Sequence, residues 1–305
     1  MHNRVRTGAS VVPNWQRKES WLAVALLAPS VIYLFAMSVY PTFYSLSLAL
    51  SNFTLYRPDM AEFSGLENFR YLFGDGLFWQ SFRVTLIFSI VAVTAEFFLG
   101  LAIALLLDRK MFGIGVLRTL LIVPILISPV GLGLTFRYIL APSYGLLNYV
   151  LSSLGLPGGD WIVSTTWALP IVIAADMWQW TPFVTLILLS GMQSISTEIV
   201  EAAELDGLTR WQMLRRITLP LIRPIILVVV LIRLIDAIRT FDLVFVLTRG
   251  GPGSTTEVLS ILSYVTGFTS GDMGVASAIA WVTVVFVNIL VIFFMRAMGQ
   301  TEARR

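Results

Sequence analysis

The feature that most constrains this chain is the recurrence of apolar runs at bilayer-crossing length. Six of them, at about 22–50, 82–107, 116–140, 166–192, 221–247 and 274–296, reach the roughly 20 apolar residues that a membrane-spanning helix needs. In lipid every backbone polar group must be satisfied internally, which leaves helices or closed barrels. Barrel strands would appear as alternating segments of about ten residues, and none are visible. The expected fold is an all-α polytopic membrane protein with six transmembrane helices. Composition agrees: 13% of the 305 residues are charged, against about 25% in soluble domains. The first run is too long for a cleavable signal segment and is followed by no small-residue cleavage site, so it is expected to remain as an anchor.

Basic residues sort by side and give the orientation. The N-terminal tail carries Arg4, Arg6, Arg17 and Lys18, and the second loop Arg109, Lys110 and Arg118. The fourth loop carries Arg210, Arg215, Arg216 and Arg223, and the C-terminus Arg296, Arg304 and Arg305. The opposite loops hold only Arg57, Arg70 and Arg249. Both termini are therefore expected in the cytoplasm, with a tail over 1–20, a membrane domain over 21–298 and a second tail over 299–305. The net charge of +3 is thus a topological signal and not one for nucleic acid. Cysteine is absent and His2 is the one histidine, which excludes thiolate chemistry, disulfides, histidine catalysis and His or Cys metal clusters within the chain.

Residues 194–220 form a polar island between apolar runs and read as two short helices with a tight turn. Ser196 is placed to cap the first, with Ile195 and Val200 as its hydrophobic staple. Gly207 stands where a helix C-cap glycine belongs. Thr209 and Gln212 have capping-box spacing, and Leu208 and Met213 are placed as a second staple. Prolines 41, 124, 129, 170, 182 and 224 interrupt the spans, each removing a backbone donor. Singly they read as packing kinks; together they suit helices that line a path and rock. No internal repeat is visible.

The island resembles the EAA loop of binding-protein-dependent ABC importer permeases. Glu201-Ala202-Ala203, then Gly207, then Ile217, Leu219 and Pro220 meet the pattern of that family without a gap. The resemblance implies a type I importer permease architecture in which residues 194–220 are a coupling helix docked on a cytoplasmic ATPase. Ala202 and Ala203 would allow close approach, and Glu201, Asp206 and Arg210 polar contacts. Phe241-Asp242, followed by apolar residues and Thr248-Arg249-Gly250-Gly251-Pro252 with Ser254, Thr255 and Thr256, is similar to sugar permeases of the maltose and glycerol-3-phosphate type. So are Gly65–Phe69 and the Trp178 to Phe183 segment. The resemblance covers about 23–298 and implies a compact six-span member of a permease pair. Its partners would be a second homologous permease, two ATPase subunits and an extracytoplasmic solute-binding protein. The external loops 51–81, 141–165 and 248–273 offer that last partner a landing surface, or merely connect spans.

Ionisable groups inside a span are costly, and the fifth run holds Arg233, Asp236, Arg239 and Asp242. Arg233, Asp236 or Ala237, and Thr240 recur at helical spacing and should share a face. Asp176, Trp178, Gln179, Trp180 and Phe183 mark the fourth run. Carried over by motif register, the sugar-contacting positions of the family fall on Gln179, Trp180, Phe183, Arg233, Ala237 and Thr240. Asp236 and Arg239 join them as candidate substrate-binding residues. The residues alone leave other roles open. Arg233–Asp236 and Arg239–Asp242 could be orienting ion pairs, Glu96 a structural hydrogen-bond partner, and Trp178 and Trp180 bundle core. Arg233, as a cation, raises the prospect of an acidic sugar. No catalytic or metal site is expected. There is no phosphate-binding loop of the G-x-x-x-x-G-K-[ST] form, so ATP and its magnesium belong to a partner chain. The competing expectations are a proton-driven carrier using Glu96, Asp176, Asp236 and Asp242, and, less well supported, an intramembrane enzyme.

Overall fold

The computed structural model describes residues 15–109 and 113–302. His2, Arg4, Arg6, Lys110, Arg304 and Arg305 lie outside them. The chain divides into two units, 1–48 and 49–305. In the first, α1 (Trp15–Leu34) continues through a π-helical turn (Phe35–Val39) into α2 (Tyr40–Ala49). The turn directly precedes Pro41, whose missing N–H breaks the regular ladder. Along α2, Thr42, Ser45 and Ser47 donate their hydroxyls to carbonyls three or four residues back, so these side chains need no water.

The second unit begins with α3 (Glu67–Gly74) and α4 (Gly76–Leu107), followed by α5 (Ile114–Leu126), α6 (Pro129–Ile139) and α7 (Leu146–Ser153). Next come α8 (Ala168–Gln193), α9 (Thr197–Leu205), α10 (Arg210–Met213) and α11 (Leu219–Leu221). The last are α12 (Arg223–Ile238), α13 (Asp242–Leu247), α14 (Leu259–Tyr264) and α15 (Met273–Glu302). Helices α4 and α8 form the central pair. Val84, Phe88 and Ala92 of α4 pack with Val172 and Ala175 of α8 and with Val244 of α13. Ala104 and Leu107 of α4 pack with Leu188 and Met192 of α8 and with Val229 of α12. Gly100 permits the close approach. A Cβ there would sit 3.0 Å from Val184 Cγ1 and 3.2 Å from the Thr185 nitrogen, so only a small residue fits between these backbones.

Among the described residues four helices are long and apolar enough to cross a membrane: Val24–Ala49, Gly76–Leu107, Ala168–Gln193 and Met273–Met298. The expected third and fifth spans are not single helices. The third is α5 and α6, bent by 93°. Ile127 and Ser128 are extended there because α conformation is disfavoured before a proline, here Pro129. The Ser128 hydroxyl caps α6 through the Gly131 N–H at 3.2 Å. The fifth breaks after Ile238: Phe241 has φ −134° and ψ −60°, and α13 starts at Asp242. By length and composition, the described residues hold four single helices of crossing length, or up to five with the bent pair as one span. Pro182, by contrast, sits inside an unbroken α8.

Two of the loops placed on the external side meet. Leu55 N–H donates to Gly271 at 2.7 Å, Gly274 N–H to Phe53 at 3.0 Å, and Gln80 to the Ser254 carbonyl at 3.2 Å. At the other end of α4, Asp108 and Arg109 share a cleft with Glu204, Arg210 and Trp211. The second and fourth loops therefore lie at one end of this unit, as the charge pattern predicts.

Candidate functional site

The polar island is built by its caps. The α9 helix ends in a Schellman motif: Leu208 N–H donates to Ala203 at 3.1 Å and Gly207 N–H to Glu204 at 3.0 Å. That motif requires a left-handed residue, and Gly207 supplies it with φ +72°. The capping box forms as expected. Thr209 N–H donates to Gln212 Oε1 at 2.8 Å, and Gln212 N–H to Thr209 Oγ1 at 3.3 Å. Helix α10 then runs through a π-helical stretch (Leu214–Thr218) into α11. Ser196 differs from expectation: it has N-cap backbone geometry but its side chain makes no capping bond. Glu201, Ala202, Asp206 and Arg210 are exposed, whereas Ala203 is buried against the chain. The sequence pattern missed two residues. Leu205 is 89% exposed and Trp211 67%, large apolar groups on a rigidly capped polar surface.

Within the helix bundle three charged side chains from three helices converge. Arg233 of α12 donates through Nε to Glu96 Oε2 at 2.7 Å and through Nη2 to Glu96 Oε1 at 3.0 Å. It also donates through Nη2 to Asp176 Oδ2 of α8 at 2.8 Å. Arg233, Glu96 and Asp176 are 1%, 0% and 4% exposed. Asp236 stands off at 3.8 Å with a half-exposed side chain. The dominant partners of Arg233 are thus Glu96 and Asp176, one from α4 and one from α8, and not its helical neighbour Asp236. A charge buried in lipid must find its counter-charge on another helix. Glu96, expected from the sequence as a structural hydrogen-bond partner, has Arg233 as its donor.

Aromatic groups surround this cluster. The Arg233 guanidinium lies 4.6 Å above the Trp180 ring, and Trp180 meets Phe183 edge to face at 6.0 Å. Both rings are partly exposed. Gln179 is buried, its amide donating at 2.6 Å to the Ile127 carbonyl, at the break that Pro129 causes. Ala237 is also buried. The shared helical face of Arg233 and Ala237 does not reach Thr240, because α12 has ended. Thr240 is partly exposed, and its carbonyl accepts the Ser260 hydroxyl. Arg239, the exposed C-cap of α12, lines a separate cavity beside Ser260 and Ser263 of α14 and Thr283 of α15. Among the described residues Arg239 and Asp242 form no ion pair, since the break removes the spacing that would join them. Trp178 faces Phe136 of α6 at 6.3 Å and not the cluster.

Residues 20–304 match the family model described as "Binding-protein-dependent transport system inner membrane component". The trehalose transport system permease SugA of Mycobacterium tuberculosis is 36% identical over 281 residues, 92% of this chain and 90% of that protein. The trehalose/maltose permease MalF of Thermococcus litoralis is 34% identical over 279 residues, 92% of this chain and 94% of that one. Among solved structures, a bacterial ABC transporter importing the acidic polysaccharide alginate matches with TM-score 0.83 and 27% identity, over 94% of this chain and 98% of that one. The same kind of transporter, in complex with an alginate pentasaccharide-bound periplasmic protein, matches with TM-score 0.79, 27% identity and coverages of 92% and 95%. These similarities run nearly end to end, and they exclude the carrier without an ATPase that the residues alone had left open. The chain belongs to the family of binding-protein-dependent transport system inner membrane components: it is a multi-pass inner-membrane permease subunit of an ABC importer of type I fold, with ATP hydrolysed on a separate partner chain.

Proposed function

We propose that this permease carries a sugar or sugar derivative inward. It pairs with a second homologous permease, two ATPase subunits that bind ATP and magnesium, and an extracytoplasmic solute-binding protein; both of its termini are cytoplasmic. Residues 194–220 are the coupling element. Glu201, Ala202, Asp206 and Arg210 give polar contacts to the ATPase, Gly207 the turn, and Leu205 and Trp211 the apolar anchors that protein interfaces place at their centres. Ala203 fixes the loop to the permease body.

The ligand face is Trp180, Phe183, Asp236 and Thr240, the members of the expected set that are open. Gln179, Arg233 and Ala237 shape it from behind, and Arg239 turns toward another cavity. Aromatic faces stack on sugar rings, while hydroxyl and carboxylate groups bind their hydroxyls. Kinship with sugar permeases over nine-tenths of the chain supports the substrate class. The observation that carries the coupling role is the pairing of a Schellman turn and a capping box around exposed Leu205 and Trp211.

The test is ligand-stimulated ATP hydrolysis by the reconstituted assembly, wild type against Gly207→Asp and Glu201→Ala, over a panel of sugar-loaded binding proteins. The variants should assemble but lose stimulation. Wild-type behaviour of both, or transport by this chain without ATP, would overturn the proposal.

A further inference from the structure

The buried cluster bears on which sugars this face accepts. Arg233 brings one positive charge, and Glu96, Asp176 and Asp236 bring three carboxylates within 4 Å of it. The cluster has no net positive charge in all but one of its protonation states. With no carboxylate protonated it is doubly negative, with two protonated it is neutral, and it is positive only if all three are. Arg233 is also geometrically committed: Nε and Nη2 donate to Glu96 and Asp176, Nη1 faces Asp236 at 3.8 Å, and Trp180 lies against its face. Asp236 is the one member whose side chain reaches solvent, and it is an acid.

The remaining cation of the segment does not compensate. Arg239 lies six residues past Arg233, about 240° further around the helix, and lines the cavity against α14 and α15. In a medium of low dielectric an uncompensated charge is felt strongly, and among the described residues the cation beside Trp180 is Arg233, already paired with carboxylates.

Resting on the proposed sugar reading, we infer that the ligand face of this chain is built for an uncharged saccharide, with Arg233 clamped as a support for Trp180 and withheld from any anionic group. Glu96 and Asp176 are then positioning residues that act through Arg233. The bare sequence leaves the charge of the sugar open, since Arg233 raises the prospect of an acidic sugar and Asp236 one turn away weakens it. It also separates this chain from its structural neighbour that imports an acidic polysaccharide.

The experiment measures saccharide binding to the complete assembly in nanodiscs by saturation-transfer NMR, without the solute-binding protein so that its own selectivity does not enter. Trehalose and maltose are compared with a uronic-acid disaccharide of similar size, at equal concentration and ionic strength. Wild type should favour the neutral sugars by about tenfold or more. The Glu96→Gln/Asp176→Asn double variant, which unclamps Arg233, should shift the preference toward the acid. Tighter binding of the acid by wild type, lost in Arg233→Met, would overturn the inference and leave the sugar reading intact. If neither class of sugar binds and neither stimulates ATP hydrolysis through a loaded binding protein, the sugar reading falls and the inference with it. The wild-type comparison decides the matter even if a variant fails to assemble.

Discussion

Replacing Arg233 by methionine removes the cation that, among the described residues, holds α4, α8 and α12 together by charge. Glu96 and Asp176, at 0% and 4% exposure, would then face each other without a counter-ion. Three charge-assisted hydrogen bonds disappear, each worth about 1.5–3 kcal/mol when formed to a charged group. They come from one guanidinium, so they do not add in full. Breaking a buried pair by removing one partner typically costs about 3–5 kcal/mol, and we expect Arg233→Met to fall in that range. The control follows from the same physics. Substituting all three groups by neutral ones of similar size, Arg233→Met with Glu96→Gln and Asp176→Asn, leaves no orphan charge and should recover most of the loss. The assay is reversible unfolding of the purified permease pair in mild detergent titrated with denaturing detergent, read by circular dichroism. Two results would refute the reasoning: an Arg233→Met variant as stable as wild type, or a triple variant no more stable than the single one.

The same geometry predicts three further outcomes. Leu205→Ala with Trp211→Ala should weaken ATPase association by about tenfold or more, since a central tryptophan anchor typically costs about 2 kcal/mol or more when truncated; pull-down against immobilised ATPase checks it, with unchanged helicity as the control. Gly207→Ala should destabilise the coupling loop by about 1–2 kcal/mol, through backbone strain at φ +72° and not crowding, as nothing lies within 4 Å of the added carbon; hydrogen exchange of α9 and α10 amides reads it. Gln179→Leu strands the Ile127 carbonyl at the bend between α5 and α6 and should cost about 1–3 kcal/mol, seen as lower thermal stability of the assembly.

Local rules were legible wherever the physics is local. Capping needs residues two to five apart, so Thr209, Gln212 and Gly207 announced their roles in the sequence, and the Schellman turn and capping box are present. Ser196 shows the limit even there, since its position suits a cap and yet its hydroxyl makes no capping bond. Hydropathy located the apolar segments but not their continuity. Pro129 breaks its span and Pro182 does not. At the first bend Gln179, 52 residues away, supplies the donor to the Ile127 carbonyl. No window along the chain contains that partner.

The charged cluster is the clearest case of what a one-dimensional pattern leaves undetermined. Glu96, Asp176 and Arg233 each lie in an apolar run, and the cost of a buried charge dictates that each must be paired. The sequence therefore states the requirement. It does not state the pairing, and proximity along the helix pointed to Asp236. The fold overrides that choice because α4 and α8 pack closely enough, at Gly100, to present two carboxylates to one guanidinium. The consequence is functional and not only structural. An arginine judged by its helix alone advertises an anion site, whereas the same arginine judged with the helices against it is already neutralised, and the group left facing solvent is an acid.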